Sequence, residues 1–278
     1  MDYGISQVIL NELGPVESIR KLREIGYERV EVHSRYLDPR FTNAAVFEEL
    51  VAALEDTGIV AAQAHLPFWS GIDIGNYNEI VRNYAMNVSR EAVARCAKLG
   101  QPKLVLHPGT WAGSSSEFLV GIFRELVIDA VAQLVELAAE HEQTVCVENM
   151  LGNGPDDDRR HFGAPVEDLV EICSSAPGAM ACLDTGHAFF NGENPAECAK
   201  TLADAGLLAA THVQDTDGFP HDRHWLPGRG GIDWKAFVDA LKETGYGGTF
   251  VLEVSRRHGD AEDLAREGLA LREQFGLQ

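Results

Sequence analysis

The chain alternates between short apolar runs typical of buried β-strands and longer stretches with the period of an amphipathic helix. The strand-like runs lie near residues 3–9, 29–33, 59–65, 102–107, 144–148, 179–184, 208–213 and 249–254. The helix-like stretches lie at 15–25, 44–57, 78–99, 116–141, 165–175, 194–205, 233–244 and 260–273. This alternation predicts an α/β fold with a parallel sheet. Eight repeats favour closure into a (β/α)8 barrel, with an open doubly wound sheet as the alternative.

Six of the strand-like runs end in a histidine or a carboxylate: His65, His107, Glu148, Asp184, His212 and Glu253. The carboxyl ends of the strands of a parallel barrel meet at one rim, so we expect these side chains to converge. Carboxylate oxygens and imidazole nitrogens are the ligands of divalent metal ions. The last four strand ends therefore predict a metal site made of Glu148, Asp184, His212 and Glu253.

Three further residues are expected to reach the same rim from the following loops. His187 lies three residues after Asp184 in Leu-Asp-Thr-Gly-His, and Asp222 and His224 alternate in the loop after the seventh strand. The predicted ligand set is thus His65, His107, Glu148, Asp184, His187, His212, Asp222, His224 and Glu253. The loops at 66–76, 149–163 and 214–231 follow ligand-bearing strands and are expected to cover the site.

Other residues near these positions are candidates for substrate contacts. The predicted substrate-binding residues are His65, Phe68, Trp69, Trp111, Asn149 and Arg223. The aromatic rings can stack on a sugar or base, or simply cover the barrel mouth. Asn149 can orient a ligand or a substrate hydroxyl, and Arg223 and Arg229 can neutralise a substrate phosphate, because guanidinium binds oxyanions in a bidentate manner.

Length and charge narrow the possible partners. The chain has 278 residues, of which 45% are hydrophobic, and this fits one domain spanning residues 1–278. Lys and Arg number 23 against 43 Asp and Glu, a net charge of −20. Such a charge disfavours general binding to nucleic acid or to an anionic membrane.

The cysteines and the amino terminus predict a cytoplasmic protein. The five cysteines are odd in number and form no Cys-x-x-Cys pair, so we expect reduced, buried thiols. The first residues carry neither a basic nor an apolar signal segment, and no apolar run is long enough to span a bilayer.

The segment from His212 to Glu253 carries a family resemblance. It reads His-Val-Gln-Asp-Thr-Asp-Gly, then Asp-x-His, then Leu-Pro-Gly-x-Gly-x-Ile-Asp-Trp, then a strand ending in Glu253. This pattern resembles the xylose isomerase-like TIM-barrel superfamily, and in particular its sugar phosphate isomerase/epimerase branch. The resemblance implies that Glu148, Asp184, His212 and Glu253 bind one Mn, Mg, Co or Zn ion. It further implies that Glu148 and Glu253 transfer protons and that His187 contacts substrate.

The same residues also resemble endonuclease IV, a member of this superfamily with a three-zinc site. Its ligand pattern matches all nine predicted ligand positions, and Leu-Asp-Thr-Gly-His-Ala-Phe is especially close. The endonuclease signature after Glu-Asn is not reproduced by Met-Leu-Gly-Asn-Gly, and the sequence shows no basic surface for a duplex.

Two enzyme hypotheses follow, and a third possibility is not enzymatic. The first is a sugar or sugar-phosphate isomerase or epimerase that holds one divalent ion, in which one of Glu148 and Glu253 removes a proton from the substrate and the other returns it. The second is a phosphodiesterase with two or three zinc ions bridged by Glu148. The third is a sugar-binding barrel with a structural metal. A small carbohydrate is the expected partner, and the sugar's identity and the formation of a homo-oligomer stay open.

Overall fold

Eight parallel strands form a closed barrel in the computed structural model, which describes residues 1–68, 71–109, 114–154 and 157–277. The strands are β1 (Asp2–Ser6), β2 (Arg29–Val32), β3 (Val60–His65), β4 (Lys103–Leu106), β5 (Thr144–Glu148), β6 (Met180–Asp184), β7 (Leu208–Val213) and β8 (Thr249–Leu252). Each strand pairs with the next, and β1 closes the barrel against β8 from Asp2↔Thr249 to Ile5↔Leu252. The predicted (β/α)8 fold is confirmed.

The helices surround the barrel. In the described residues they are α1 (Gly14–Ile25), α2 (Ser34–Leu37), α3 (Ala44–Thr57), α4 (Glu79–Cys96), α5 (Glu117–Ala139), α6 (Val166–Ser175), α7 (Thr185–Phe190), α8 (Pro195–Asp204), α9 (Trp234–Glu243) and α10 (Ala261–Gln274). Each predicted helix-like stretch corresponds to one of these helices. The short helices α2 and α7 were not predicted, because four to six residues are too few to display a helical period.

The first strand is shorter than predicted. The run at 3–9 was interpreted as one strand, but β1 ends at Ser6 and a 3₁₀ helix occupies Gln7–Leu13. The Ser6 hydroxyl accepts a hydrogen bond from the backbone N–H of Val8, which turns the chain out of the sheet. Periodicity alone cannot distinguish a strand from a helical turn in a short apolar run, so the boundary was wrong.

Side-chain alternation places the ligand-bearing positions inside the barrel. Val105, Cys146, Cys182 and Ala210 form a small, fully buried cluster on neighbouring strands. Each lies two residues before a predicted ligand, namely His107, Glu148, Asp184 and His212. Since residues i and i+2 of a strand share a face, the ligands point to the same interior as this cluster, one layer nearer the carboxyl rim.

All five cysteines are free thiols and buried, as predicted. Among the helices that the structure describes, none combines the length and the apolar character that a membrane crossing requires.

Candidate metal centre and substrate cavity

A cavity of about 1170 Å³ opens at the carboxyl ends of the strands. The predicted ligands that line it are His65, His107, Glu148, His187, Asp222, His224 and Glu253. The other two, Asp184 and His212, are fully buried directly beneath it. The structure therefore brings together all nine positions that the sequence singled out.

The donor atoms of these residues form groups within which they lie no more than 4.8 Å apart. The groups are Glu148, Asp184, His212 and Glu253 (the central group), His65, His107 and Glu148 (the first side group), and His187, Asp222 and His224 (the second side group). His65 is also close to His212 and Glu253. Glu148 belongs to both the central group and the first side group.

Both carboxylate oxygens of Glu148 lie close to imidazole nitrogens. Its Oε1 is 3.0 Å from Nδ1 of His212, and its Oε2 is 3.1 Å from Nε2 of His107 and 3.4 Å from Nε2 of His65. Burial acts to raise the pKa of Glu148, but the charge of His212 and the hydrogen bonds from His107 and His212 hold that pKa well below its usual value. Glu148 is therefore ionised and able to serve two donor groups.

Asp184 positions the second side group through the short helix α7. Its Oδ1 accepts the backbone N–H of His187 at 2.7 Å, the hydrogen bond of an N-cap residue. This cap turns the chain directly after β6, so that His187 faces the cavity three residues later. The other oxygen, Oδ2, is buried and accepts no hydrogen bond from any described residue.

Of the two roles considered for Asn149, its contacts agree with orienting a ligand and not with binding a substrate hydroxyl. It is fully buried, and its side-chain amide binds the backbone of Asp184 twice, at 2.7 Å to N and 3.0 Å to O. Its own carbonyl oxygen lies 2.8 Å from Nδ1 of His187. Both amide atoms are thus engaged away from the cavity, so Asn149 holds Asp184 and His187 in place and does not face a substrate.

The second side group is organised by Gln214, which the sequence analysis missed. Its side-chain amide nitrogen donates to Asp222 at 2.8 Å, and its Oε1 accepts the backbone N–H of His224 at 3.0 Å. This bond holds His224 at a φ of 50°, a left-handed conformation that is uncommon outside glycine and often occurs at functional sites. Because a Cβ at Gly186 would lie 2.1 Å from the Gln214 side chain, only glycine fits beside it.

The histidines of the second side group carry positive charge when no metal is bound. Burial lowers the pKa of His224, but the hydrogen bond and charge of Asp222 raise it to about 10. For His187, burial is likewise outweighed by the charge of Asp184, by the hydrogen bond and charge of Asp222 and by the charge of Glu148, so its pKa is well above the usual range.

Glu31 is a further buried carboxylate that the sequence analysis did not single out. It lies inside β2, is fully buried, and places Oε2 at 2.5 Å from Nε2 of His212. The only signal in the sequence was a charged residue within the apolar run Arg-Val-Glu-Val. A charged residue at this position would equally fit a strand with one side facing solvent. Only the closed barrel shows that the Glu31 side chain points inward.

The electrostatics of the cavity floor fit a bound cation. Five buried or half-buried carboxylates lie there: Glu31, Glu148, Asp184, Asp222 and Glu253. Within the described part of the chain, no Lys or Arg forms an ion pair with any of them, and their partners are histidines. Burial raises the pKa of Asp184 to about 6 and lowers that of His107 to about 4, so His107 offers a neutral imidazole. The unpaired Oδ2 of Asp184 completes a donor set suited to a divalent ion.

The other predicted substrate-contacting residues differ in where they lie relative to the cavity. Phe68 packs on the histidines, with ring centroids 4.7 Å from His65 and 4.2 Å from His107, so it covers the floor. Arg223 lines the cavity but is already bound by Asp217 at 2.9 and 3.0 Å. Arg229 pairs with Glu267 outside the cavity. Trp69 and Trp111 lie outside the described residues.

Comparison with known proteins identifies relatives over nearly the whole chain. Residues 19–274 match the family model of the xylose isomerase-like TIM barrel. An uncharacterised protein of Methanocaldococcus jannaschii is 28% identical over 263 residues, which cover 91% of this chain and 83% of that protein.

Three solved structures share the fold. A D-tagatose 3-epimerase-like protein superimposes with a TM-score of 0.81 at 22% identity, covering 99% of this chain and 97% of its own. The 3-keto-D-glucoside 4-epimerase of E. coli has a TM-score of 0.77 at 21% identity, covering 99% of both chains. A D-allulose 3-epimerase from Methylomonas sp., in complex with D-allulose, has a TM-score of 0.79 at 18% identity, covering 99% and 96%. At these identities the likeness establishes the architecture alone.

Proposed function

The chain belongs to the xylose isomerase-like TIM-barrel family, and from this premise we propose that it is a divalent-metal-dependent isomerase or epimerase of a sugar or sugar phosphate. The observation that carries the proposal is the central group, in which Glu148, Asp184, His212 and Glu253 converge at the floor of a cavity large enough for a sugar. The three similar structures are named as sugar epimerases or as epimerase-like, which agrees with it.

The central group would hold the metal ion. A divalent ion there would withdraw electrons from two adjacent oxygens of the sugar and so acidify the intervening C–H bond. Glu253 is the carboxylate of this group that is most open to the cavity, with its side chain 15% exposed and Oε2 at 3.3 Å from Nδ1 of His212. We assign it as the base that removes the substrate proton.

Glu148 would return the proton from the other side. It also lines the cavity, and because it is ionised in the resting protein it would first take up a proton from water before it delivers one to the sugar carbon. His187 has Nδ1 engaged at 2.8 Å with the carbonyl of Asn149, which leaves Nε2 on the side of Asp222. From there it can donate a hydrogen bond to a substrate oxygen, and Phe68 covers the histidines at the floor.

A second function is favoured by one specific observation. Glu148 has an oxygen in each of two donor groups, and a third group lies beside them. A carboxylate placed in this way can bridge two ions, and two or three zinc ions would activate a water for hydrolysis of a phosphodiester. The alternative function is therefore a multi-zinc phosphodiesterase.

Solvent deuterium exchange tests the proposed function. The protein, as purified with its metal, is incubated in deuterated water with a panel of ketoses and their phosphates, and deuterium at the carbon next to the carbonyl is followed by NMR. Proton transfer by Glu253 predicts exchange with at least one ketose. The metal content of the same sample and its cleavage of a duplex with an abasic site are measured in parallel.

Matched variants assign the proton carrier. Glu253→Gln keeps the shape of the side chain but removes the base, so we expect exchange to fall by about 100-fold or more. Glu243→Gln, an exposed position on α9, is the control and should leave exchange unchanged. The hydrolase would be the better proposal if no ketose undergoes exchange, the duplex is cleaved and the protein holds about three zinc ions per chain.

A further inference from the structure

The mouth of the cavity carries positive charge above its acidic floor. Four arginines line it: Arg35, Arg223, Arg256 and Arg257. This is notable in a chain with a net charge of −20. Two of these arginines are neutralised, because Arg223 is bound by Asp217 at 2.9 Å and Arg256 by Glu12 at 2.5 Å.

The other two, Arg35 and Arg257, keep their charge. Neither forms an ion pair or a side-chain hydrogen bond with any residue in the described ranges. Arg35 is instead held by a ring, with its guanidinium carbon 5.7 Å from the centroid of Phe41, which also lines the cavity. A cation–π contact of this kind fixes the direction of the guanidinium and leaves its N–H groups available.

The segments that carry these two arginines both contact the stretch Gln7–Leu13 that follows β1, here called the β1 loop. Arg35 follows β2 and Arg257 follows β8, and both strands pair with β1. The Tyr36 hydroxyl donates to the carbonyl oxygen of Asn11 at 3.2 Å, and Arg256 binds Glu12. The residue next to each arginine is thus tied to one of two consecutive residues of the β1 loop.

Asn11, on the β1 loop, adds a third donor to the cavity lining. Its side chain lines the cavity and makes no hydrogen bond within the described part of the chain. Asn11, Arg35 and Arg257, here called the oxyanion corner, therefore offer one amide and two guanidinium groups from three neighbouring loops. Planar guanidinium groups bind phosphate oxygens in a bidentate manner, and an amide N–H adds a neutral donor.

We propose that the oxyanion corner binds the phosphate group of a phosphorylated sugar, while the central group acts on its carbon chain. This inference rests on the proposed function and specifies its substrate class. The acidic floor repels a phosphate dianion, which therefore belongs at the mouth, where the unpaired cations are. An uncharged sugar would make no use of the charge of these two exposed guanidinium groups.

Steady-state kinetics on matched substrates test the inference. A ketose and its terminal phosphate are compared for the wild type, Arg35→Gln, Arg257→Gln and Asn11→Ala. We expect kcat/KM for the phosphate to fall by about tenfold to a hundredfold in each arginine variant, because a charged hydrogen-bond partner is lost. The value for the free ketose should change by less than about twofold. Arg229→Gln, an arginine outside the cavity, is the control.

A binding measurement separates this inference from the proposed function. Inorganic phosphate is titrated into the purified, metal-containing protein and followed by calorimetry for the same variants. One outcome is that no sugar is turned over, while Arg35→Gln and Arg257→Gln weaken phosphate binding and Arg229→Gln does not. This outcome would support phosphate binding at the oxyanion corner but not the isomerase activity. If free and phosphorylated ketoses are turned over with the same kcat/KM, and the arginine variants match the wild type, the phosphate site at the oxyanion corner is overturned while the isomerase is not. Loss of abasic-duplex binding in the variants, without any effect on sugar phosphates, would also overturn it in favour of a phosphodiester.

Discussion

Glu31 Oε2 lies 2.5 Å from Nε2 of His212, and both side chains are fully buried. The other ring nitrogen of His212, Nδ1, faces Glu148 at 3.0 Å and Glu253 at 3.3 Å. A carboxylate that accepts a hydrogen bond from one ring N–H fixes the tautomer and makes the other nitrogen a better metal ligand. Glu31 is therefore a positioning residue for the proposed metal site.

Replacement of Glu31 should weaken metal binding without unfolding the barrel. We expect Glu31→Gln to lower the affinity for a divalent ion by about 10- to 100-fold, the usual effect of losing a partner of a ligating histidine. The affinity is measured by competition with a chelator, and ¹⁵N NMR of the imidazoles reports the tautomer of His212. Glu243→Gln is the control. An unchanged affinity with an altered tautomer would contradict the role assigned to Glu31.

Asp184 combines a cap with a proposed ligand, and two variants separate these roles. Asp184→Asn retains an oxygen for the His187 N–H, whereas Asp184→Ala removes it. We expect both to lose metal affinity, but only Asp184→Ala to lose about 0.5–2 kcal/mol of unfolding free energy through the missing cap. Urea denaturation of the chelator-treated proteins measures the difference. Equal stability of the two variants would contradict the role of Asp184 as the N-cap of α7.

The stability of the metal-free protein should depend on pH through Asp184. Burial raises its pKa from 3.8 to about 6, so the folded state binds a proton that the unfolded state releases. The contribution of Asp184 to the unfolding free energy should then be highest below the unfolded pKa and fall as pH rises to about 6, by about 3 kcal/mol as an upper limit. Asp184→Asn should flatten this part of the profile, which is followed by denaturation between pH 4 and 8. A wild-type profile that runs parallel to that of Asp184→Asn over this window would contradict the prediction.

Metal binding at the second side group should release protons. The pKa of His224 is about 10 without metal, so its ring is protonated at neutral pH and must lose a proton before it can bind a cation. We expect calorimetric titration with zinc in buffers of different ionisation enthalpy to show proton release, and His224→Gln to release about one proton fewer. Identical proton release in wild type and variant would indicate that this group does not take up the ion.

Removal of the Asn149 side chain should destabilise the fold more than it affects substrate contacts. Asn149→Ala leaves the buried N–H of Asp184 without its 2.7 Å acceptor, at a cost of about 1–3 kcal/mol. We expect a lower urea midpoint and weaker metal binding, with no change in KM once metal is saturating. A rise in KM at saturating metal and unchanged stability would restore the substrate-binding interpretation.

The sequence by itself determined the fold class and the rim on which the site lies. Hydrophobic periodicity is a local property, and a residue such as Glu148 or His212 at the end of an apolar run reaches the rim in any parallel barrel. Asp184 and His187 could likewise be assigned to one neighbourhood, because only three residues separate them.

The tertiary structure decided which atoms meet. Glu31 points inward toward His212 because of the register of β2 within the closed barrel, and Asn149 turns away from the cavity because the backbone of Asp184 lies beside it. Arg223 pairs with Asp217, whereas Arg257 forms no ion pair with a described residue, and this difference depends on how the loops fold over the mouth. The direction in which a side chain points and the residue that it binds are set by contacts between residues far apart in sequence. The pattern of hydrophobic and polar positions along the chain does not contain those contacts.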